Sequence, residues 1–188
     1  MKYLVIDNYD SFTFNLVQLV RKLSGAEPDV KRNDCFHLDE LASYDKIILS
    51  PGPGIPSEAG LLSSVISRYG TTKSLLGICL GHQAIGEVFG AQLVQMPSVL
   101  HGIASLLHCC KEDYLFQDMP VAFTAGHYHS WVLSPQRFPD ALDILMKDEA
   151  GNIMAIAHKQ YDIRGLQFHP ESVLTPLGEK IIANWINN

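Results

Sequence analysis

Residues 75–90 read LLGICLGHQAIGEVFG, and the apolar spacing changes partway through them. Leu75 to Ile78 is a short unbroken apolar run, as in a strand buried on both faces of a parallel sheet. Beyond it, Ala84, Ile85, Val88 and Phe89 recur at helical spacing and stop at Gly90, a residue suited to ending a helix. A strand that runs straight into a helix is one βα unit. Upstream the same grammar repeats: Lys2 to Ile6 is a strand ending at Asp7, and Phe12, Leu16, Leu19, Val20 and Leu23 form a helical stripe that stops at Ser24-Gly25. Asp29 to Arg32 is a weak strand, Ile47 to Leu49 a strong one, and Leu61 to Arg68 a helix. This alternation predicts an α/β fold with a parallel sheet flanked by helices.

After Ala91 the rhythm changes. Short candidate strands at Gln92 to Gln95, Val121 to Ala125, Leu142 to Met146, Ile153 to Ala157 and Ile163 to Phe168 follow one another without helices between, which predicts an added antiparallel region. Thr175 is placed as an N-cap with Pro176 at the first helical position, and Ile181, Ile182, Trp185 and Ile186 supply a buried face for the last helix.

The 188 residues suit one domain of ordinary size, expected over 1–188. With 47% hydrophobic residues the core needs no metal or disulfide staple. Lys and Arg total 14 against 20 Asp and Glu, a formal charge of -6, and no basic run tracks phosphates, so nucleic acid is excluded as a partner class. No apolar stretch approaches the roughly 20 residues of a membrane helix, and the N-terminus does not read as a signal peptide. Cys35, Cys79, Cys109 and Cys110 lack both CxxC spacing and the density of a secreted disulfide scaffold. Reduced thiols in a cytoplasmic protein are expected, the adjacent Cys109-Cys110 pair included, since neighbours form only a strained bridge.

Three loops carry chemistry. Gly77-Ile78-Cys79-Leu80-Gly81-His82 has the form of a nucleophile elbow: a reactive side chain on a strained strand-to-helix turn, with flanking glycines that leave neighbours and substrate room. A helix N-terminus favours a thiolate there; the alternative is an inert buried cysteine. Gln167-Phe168-His169-Pro170-Glu171 follows a strand. In an extended segment His169 and Glu171 point the same way, so His169 serves as the base and Glu171 orients its ring and stabilises the imidazolium. Ser50-Pro51-Gly52-Pro53-Gly54-Ile55-Pro56 has few backbone donors, chiefly Gly52 and Gly54. With the Leu80 N–H they form a candidate oxyanion hole, or the loop is merely a stiff turn.

Other candidates read differently. His37, His101, His108 and His158 are expected as surface or loop imidazoles. Gly70-Thr71-Thr72-Lys73-Ser74 ends like a phosphate loop but lacks the required earlier glycine and precedes a strand, so it is a connector. His127-Tyr128-His129 offers two imidazoles on one strand face without a recognisable third ligand, and no metal or other cofactor is expected.

Together, the cysteine elbow, the glycine loop and the late His-Pro-Glu, in this order, resemble the class I (triad) glutamine amidotransferase family over essentially the whole chain. The resemblance implies a flavodoxin-like fold and a reaction in which Cys79 attacks the side-chain amide of L-glutamine, forms a γ-glutamyl thioester, releases ammonia and yields glutamate to water. It also places glutamine contacts on Gly52, Pro53, Gly54, Gln83, Ser130 and Trp131. Asp7-Asn8-Tyr9-Asp10-Ser11-Phe12-Thr13 is similar to the opening signature of the small subunits, component II, of anthranilate synthase and aminodeoxychorismate synthase. A chorismate-using synthase subunit, component I, is thereby implied as partner, docking at the Tyr9 to Thr13 turn. The chain departs from the family pattern at His127, where arginine is common, and at Ile103, where lysine is common. The rival functions are a stand-alone γ-glutamyl hydrolase or peptidase and a non-catalytic regulatory subunit.

Overall fold

A computed structural model describes the chain from Met1 to Asn188, with every side chain except that of Ser98. Its first half alternates as expected: β1 (Tyr3–Asp7), α1 (Thr13–Ser24), β2 (Asp29–Arg32), β3 (Lys46–Leu49), α2 (Leu62–Tyr69), β4 (Ser74–Ile78) and α3 (Leu80–Val88). The second half contains β5 (Leu93–Cys109), β6 (Ala122–Leu133), β7 (Leu142–Asp148), β8 (Ile153–His158), β9 (Ile163–Leu166) and α4 (Gly178–Asn187). All nine strands join one sheet in the order β2-β1-β3-β4-β9-β8-β7-β5-β6. The run from β2 to β9 is parallel, and from β9 to β6 each pairing is antiparallel. This is the flavodoxin-like α/β arrangement with an antiparallel extension.

Both faces of β1, β3 and β4 are buried, which accounts for their apolar runs, whereas β2 lies at the sheet edge and is mostly exposed. Val5, Ile48, Leu76 and Ile78 pack with Leu16, Val17 and Val20 of α1 and Ile181, Ile182 and Trp185 of α4. Leu4, Ile6, Ile47, Leu49 and Leu75 point the other way, toward Leu62, Val65 and Ile66 of α2 and Ala84 and Ile85 of α3. Gly25 ends α1 in the left-handed conformation, its N–H donating to the Arg21 carbonyl at 3.0 Å.

Four expectations are corrected. The strands foreseen at 92–95 and 121–125 are the two ends of a long β5–β6 hairpin with register shifts between Gln95 and Leu100 and between His101 and Ile103. Most of β5 is exposed, so no alternating burial marked it. Thr175 does not cap α4, which starts at Gly178 with no side-chain cap at Leu177. Its hydroxyl instead donates to the His169 carbonyl at 2.6 Å and accepts the Gly126 N–H at 3.0 Å, tying β6 to the loop after β9. Phe12 precedes α1 rather than joining its buried stripe, and its ring faces His169. His158 is buried rather than superficial: Nδ1 accepts the N–H groups of Gln160 and Tyr161, and burial holds its pKa below the ordinary value. His37, His101 and His108 are exposed, as expected. Lys73 is spent on the carbonyls of Ala42 and Tyr44, in keeping with a connector before β4.

The backbones of β3 and α3 approach closely: a Cβ added to Gly81 would stand 2.3 Å from the Leu49 carbonyl oxygen. A backbone oxygen in mid-sheet cannot swing aside, so Gly81→Ala is expected to destabilise the protein by about 2–3 kcal/mol. Urea denaturation checks this; a midpoint equal to that of the parent chain would show that α3 can move off the sheet freely.

Candidate active site

Because β4 and β9 are parallel neighbours, with Ile78 opposite Leu166, their C-terminal ends open at the same place. Cys79 follows β4 directly and donates its N–H to the Leu166 carbonyl at 2.7 Å. Its φ of 49° lies in the left-handed region, the strained pose expected of an elbow nucleophile. A Cβ on Gly77 would come within 2.5 Å of the Gly81 backbone, so the turn closes only around glycine.

His169 lies three residues past the end of β9, buried, with its N–H donating to the Gly126 carbonyl at 3.1 Å. Nδ1 and Glu171 Oε1 are 2.7 Å apart, and the Glu171 side chain is wholly buried. The local geometry differs from the extended segment foreseen. The Ser172 N–H bonds back to the His169 carbonyl at 3.2 Å, so His-Pro-Glu is a turn, and the two side chains meet across it. The Phe12 and Tyr128 rings stand edge-on to the imidazole, with centroids 5.6 and 4.9 Å away. His169 Nε2 has no hydrogen-bond partner meeting ordinary geometry among the described residues. Burial disfavours the imidazolium, yet the nearby Cys79 sulfur and the Glu171 carboxylate bonded to Nδ1 outweigh it, and the ring pKa is raised well above its ordinary value.

Cys79 opens onto a cavity of about 190 Å³ lined by Gly52, Pro53, Gly54, Gln83, Ser130 and Trp131. Those are the six residues expected to contact substrate. Tyr128, His129 and Val99 complete the wall, and sequence reasoning did not single them out as such. Among the described residues the Gly52 and Leu80 N–H groups donate to no backbone acceptor; Gly52 shares the cavity wall with Cys79, and the Leu80 side chain lies against Gly52. Asn8 braces the glycine loop: its N–H donates to Ser50 Oγ at 2.9 Å and its amide to the Ser50 carbonyl at 2.8 Å.

His127 and His129 form a buried relay. Trp131's carbonyl can only accept, so His129 Nδ1 donates to it at 3.1 Å. His129 Nε2 then accepts from His127 Nδ1 at 3.3 Å, and His127 Nε2 accepts from Ser105 at 2.7 Å. Both rings are neutral in this chain, and among the described residues no group of three side chains could hold a metal ion. Burial lowers His127 to about 4 and His129 to about 3. His82 of α3, also fully buried, falls to about 3 for the same reason.

The profile described as glutamine amidotransferase class-I matches residues 4–188. The chain belongs to the class-I glutamine amidotransferase family. Among curated amidotransferases it is 44% identical over 191 residues to anthranilate synthase component 2 of Mycobacterium tuberculosis, covering 99% of this chain and 82% of that one. It is 41% identical over 186 residues to aminodeoxychorismate synthase component 2 of Escherichia coli, covering 98% of each. The fold matches that of a glutamine amidotransferase from Thermotoga maritima with a TM-score of 0.79 at 13% identity, covering 100% of this chain and 96% of that one.

The three buried neutral imidazoles of this amidotransferase make its stability acid-sensitive. With folded pKa values below the ordinary 6.5, His82, His127 and His129 refuse protons that the unfolded chain accepts. Stability is therefore full above pH 6.5 and is lost as pH falls toward their folded values, by at most about 4 kcal/mol per pH unit when all three contribute. His169, raised instead, contributes fully below 6.5 and loses its share as pH rises above that. Urea midpoints at pH 7 and pH 5 test the acid limb: a clear drop is expected, and a flat profile would mean that these rings are protonated in the fold.

Proposed function

We propose that this chain hydrolyses L-glutamine to glutamate and ammonia through a Cys79 thioester and passes the ammonia to a chorismate-using synthase subunit, component I. The observation that carries the reading is that Cys79 lines a cavity whose wall contains all six glutamine contacts implied by the family, and shares the adjoining cavity with His169, whose Nδ1 is bonded to Glu171. At about 190 Å³ the cavity is well below the ~300 Å³ at which drug-sized sites begin. That fits a single amino acid, and the likeness of Asp7 to Thr13 to the opening signature of the component II subunits weighs against the γ-glutamyl hydrolase alternative. Retention of all three triad members weighs against a purely regulatory subunit.

In this mechanism Cys79 Sγ attacks the glutamine side-chain carbonyl carbon, and the proton is held on His169 Nε2. The developing oxyanion is met by the Gly52 and Leu80 N–H groups, whose value lies in being fixed before charge appears. His169 gives its proton to the departing nitrogen, so ammonia leaves and the thioester remains. Water, deprotonated by His169, then adds to the thioester carbonyl. Sulfur departs with the bond electrons and glutamate is freed. Glu171, bonded to Nδ1, fixes the tautomer and stabilises the imidazolium in both halves.

Cys79 and His169 also face a second cavity, of about 410 Å³, lined by Tyr9, Ser11, Phe12 and His101. Tyr9 in its wall is exposed, as are Val99 beside the first cavity and Ile103 of β5, and Val173, two residues after Glu171, is 95% exposed. Such a surface suits a subunit that covers the site and receives ammonia before water protonates it. Relatives named for both anthranilate and aminodeoxychorismate synthases support a component II role. In our reading one such subunit serves both the tryptophan and folate branches, in the cytoplasm. No helix of the described residues is long and apolar enough to cross a membrane.

Cys79→Ser is expected to lower glutamine-dependent product formation by about four to six orders of magnitude while the complex still uses added ammonium salt. Undiminished glutamine use would remove Cys79 from the mechanism. Glu171→Gln is expected to lower kcat by about 10²–10⁴ through the wrong ring tautomer. Steady-state assays of the complex with component I measure this, and a wild-type rate would leave Glu171 a structural role only.

A further inference from the structure

Behind the catalytic thiol runs a chain of buried amides whose direction is fixed at its far end. Gln83 lies against the Trp131 carbonyl at 3.0 Å, and because that oxygen can only accept, the contacting atom is the Gln83 amide nitrogen. The same nitrogen donates its other hydrogen to Gln167 Oε1 at 3.1 Å. With its oxygen so engaged, Gln167 must turn its own amide nitrogen the other way, and it stands 3.6 Å from Cys79 Sγ. Gln167 is fully buried and its backbone N–H is bonded to the Met154 carbonyl at 2.9 Å, so the side chain has neither solvent nor a loose backbone to absorb another orientation.

The geometry points to Gln167 as a catalytic hydrogen-bond donor to the Cys79 sulfur, held with its N–H toward the nucleophile by Gln83 and the Trp131 carbonyl. This assignment rests on Cys79 being the nucleophile of the proposed glutamine hydrolysis. A neutral thiol is a weak acceptor, and a buried amide N–H spent on one is poorly compensated. A sulfur carrying negative charge is a full acceptor. The interaction is therefore stronger with the thiolate than with the thiol, and it acts twice in the reaction: as sulfur prepares to attack, and again as it departs from the thioester. Reversing the amide would put Oε1 against the sulfur and repel the same charge. Gln83 and the Trp131 carbonyl prevent that reversal, so Gln83 acts on the thiol through Gln167 as well as lining the cavity.

The test is Gln167→Met, which keeps the side-chain length and removes the donor. Iodoacetamide alkylation of Cys79, read on its own peptide by mass spectrometry from about pH 5 to 9, reports the nucleophile without requiring turnover. Near neutral pH the variant is expected to alkylate about tenfold more slowly, with the pH profile displaced upward by about one unit, the size of a hydrogen bond to a charged group. The glutamine kcat falls with it while KM holds, since Gln167 does not line the substrate cavity. Gln83→Leu, which frees the Gln167 amide to turn, should slow alkylation in the same direction and carries the test if Gln167→Met does not fold. Wild-type alkylation rate and profile in a folded Gln167→Met protein, or in Gln83→Leu where the first variant is unfolded, would overturn the assignment. A parent chain that alkylates normally but does not turn over glutamine in its complex would instead defeat the functional reading and leave the alkylation comparison intact.

Discussion

The parallel pairing of β4 with β9 sets the distance between nucleophile and base. Cys79 and His169 are remote in sequence, but Ile78 opposes Leu166 and the Cys79 N–H donates to the Leu166 carbonyl at 2.7 Å. A slip of one residue along this ladder would invert the faces of β9 and turn its buried side chains out of the core. The apolar residues on both faces of these central strands therefore fix the active-site geometry as well as the sheet. The site also sits where open α/β sheets place theirs, outside the carboxyl ends of the strands.

Around that pairing, polar groups are buried in two opposite ways. His169 keeps its proton because Cys79 and Glu171 together outweigh the cost of burial. His127 and His129, the second of them in the wall of the Cys79 cavity, have among the described residues no carboxylate in hydrogen-bond contact and are neutral, so each has one donating and one accepting nitrogen. Their lone pairs and hydrogens run in one direction from Ser105 to the Trp131 carbonyl. That carbonyl also receives the Gln83 amide. One backbone oxygen thus orders two networks, one along β6 and one beneath the thiol. Neutral rings suit this task, since a positive charge on either would repel the charge on His169.

How much of this could be read from the chain depended on how far each signal reached. The βα units of the first half were legible because strands buried on both faces show unbroken apolar runs, and β2 falls at the expected Asp29–Arg32. Cys79, His169, Glu171 and the glycine loop were legible because each motif is local, even though the turn that joins His169 to Glu171 was not the extended segment foreseen. The β5–β6 hairpin hid because most of β5 is exposed, so neither alternation nor an apolar run announces it. Thr175 has every local mark of a helix cap, and only the fold shows its hydroxyl claimed by His169 and Gly126. Phe12 fits a helical stripe by spacing but turns toward the catalytic ring. Gln167 sits inside a recognised motif, yet its partner is a sulfur 88 positions away.

The place of β9 in the strand order ties assembly to chemistry. Strands β1 to β4 can associate through short right-handed crossovers as they are made, whereas the inner edge of β4 finds its partner only after the whole antiparallel run has been laid down. Until then β4 presents unpaired backbone groups and its cysteine has no base. Insertion of β9 seals that edge and delivers the imidazole in the same event. The sulfur and its base thus meet only through the β4–β9 pairing, the last join of the sheet in chain order.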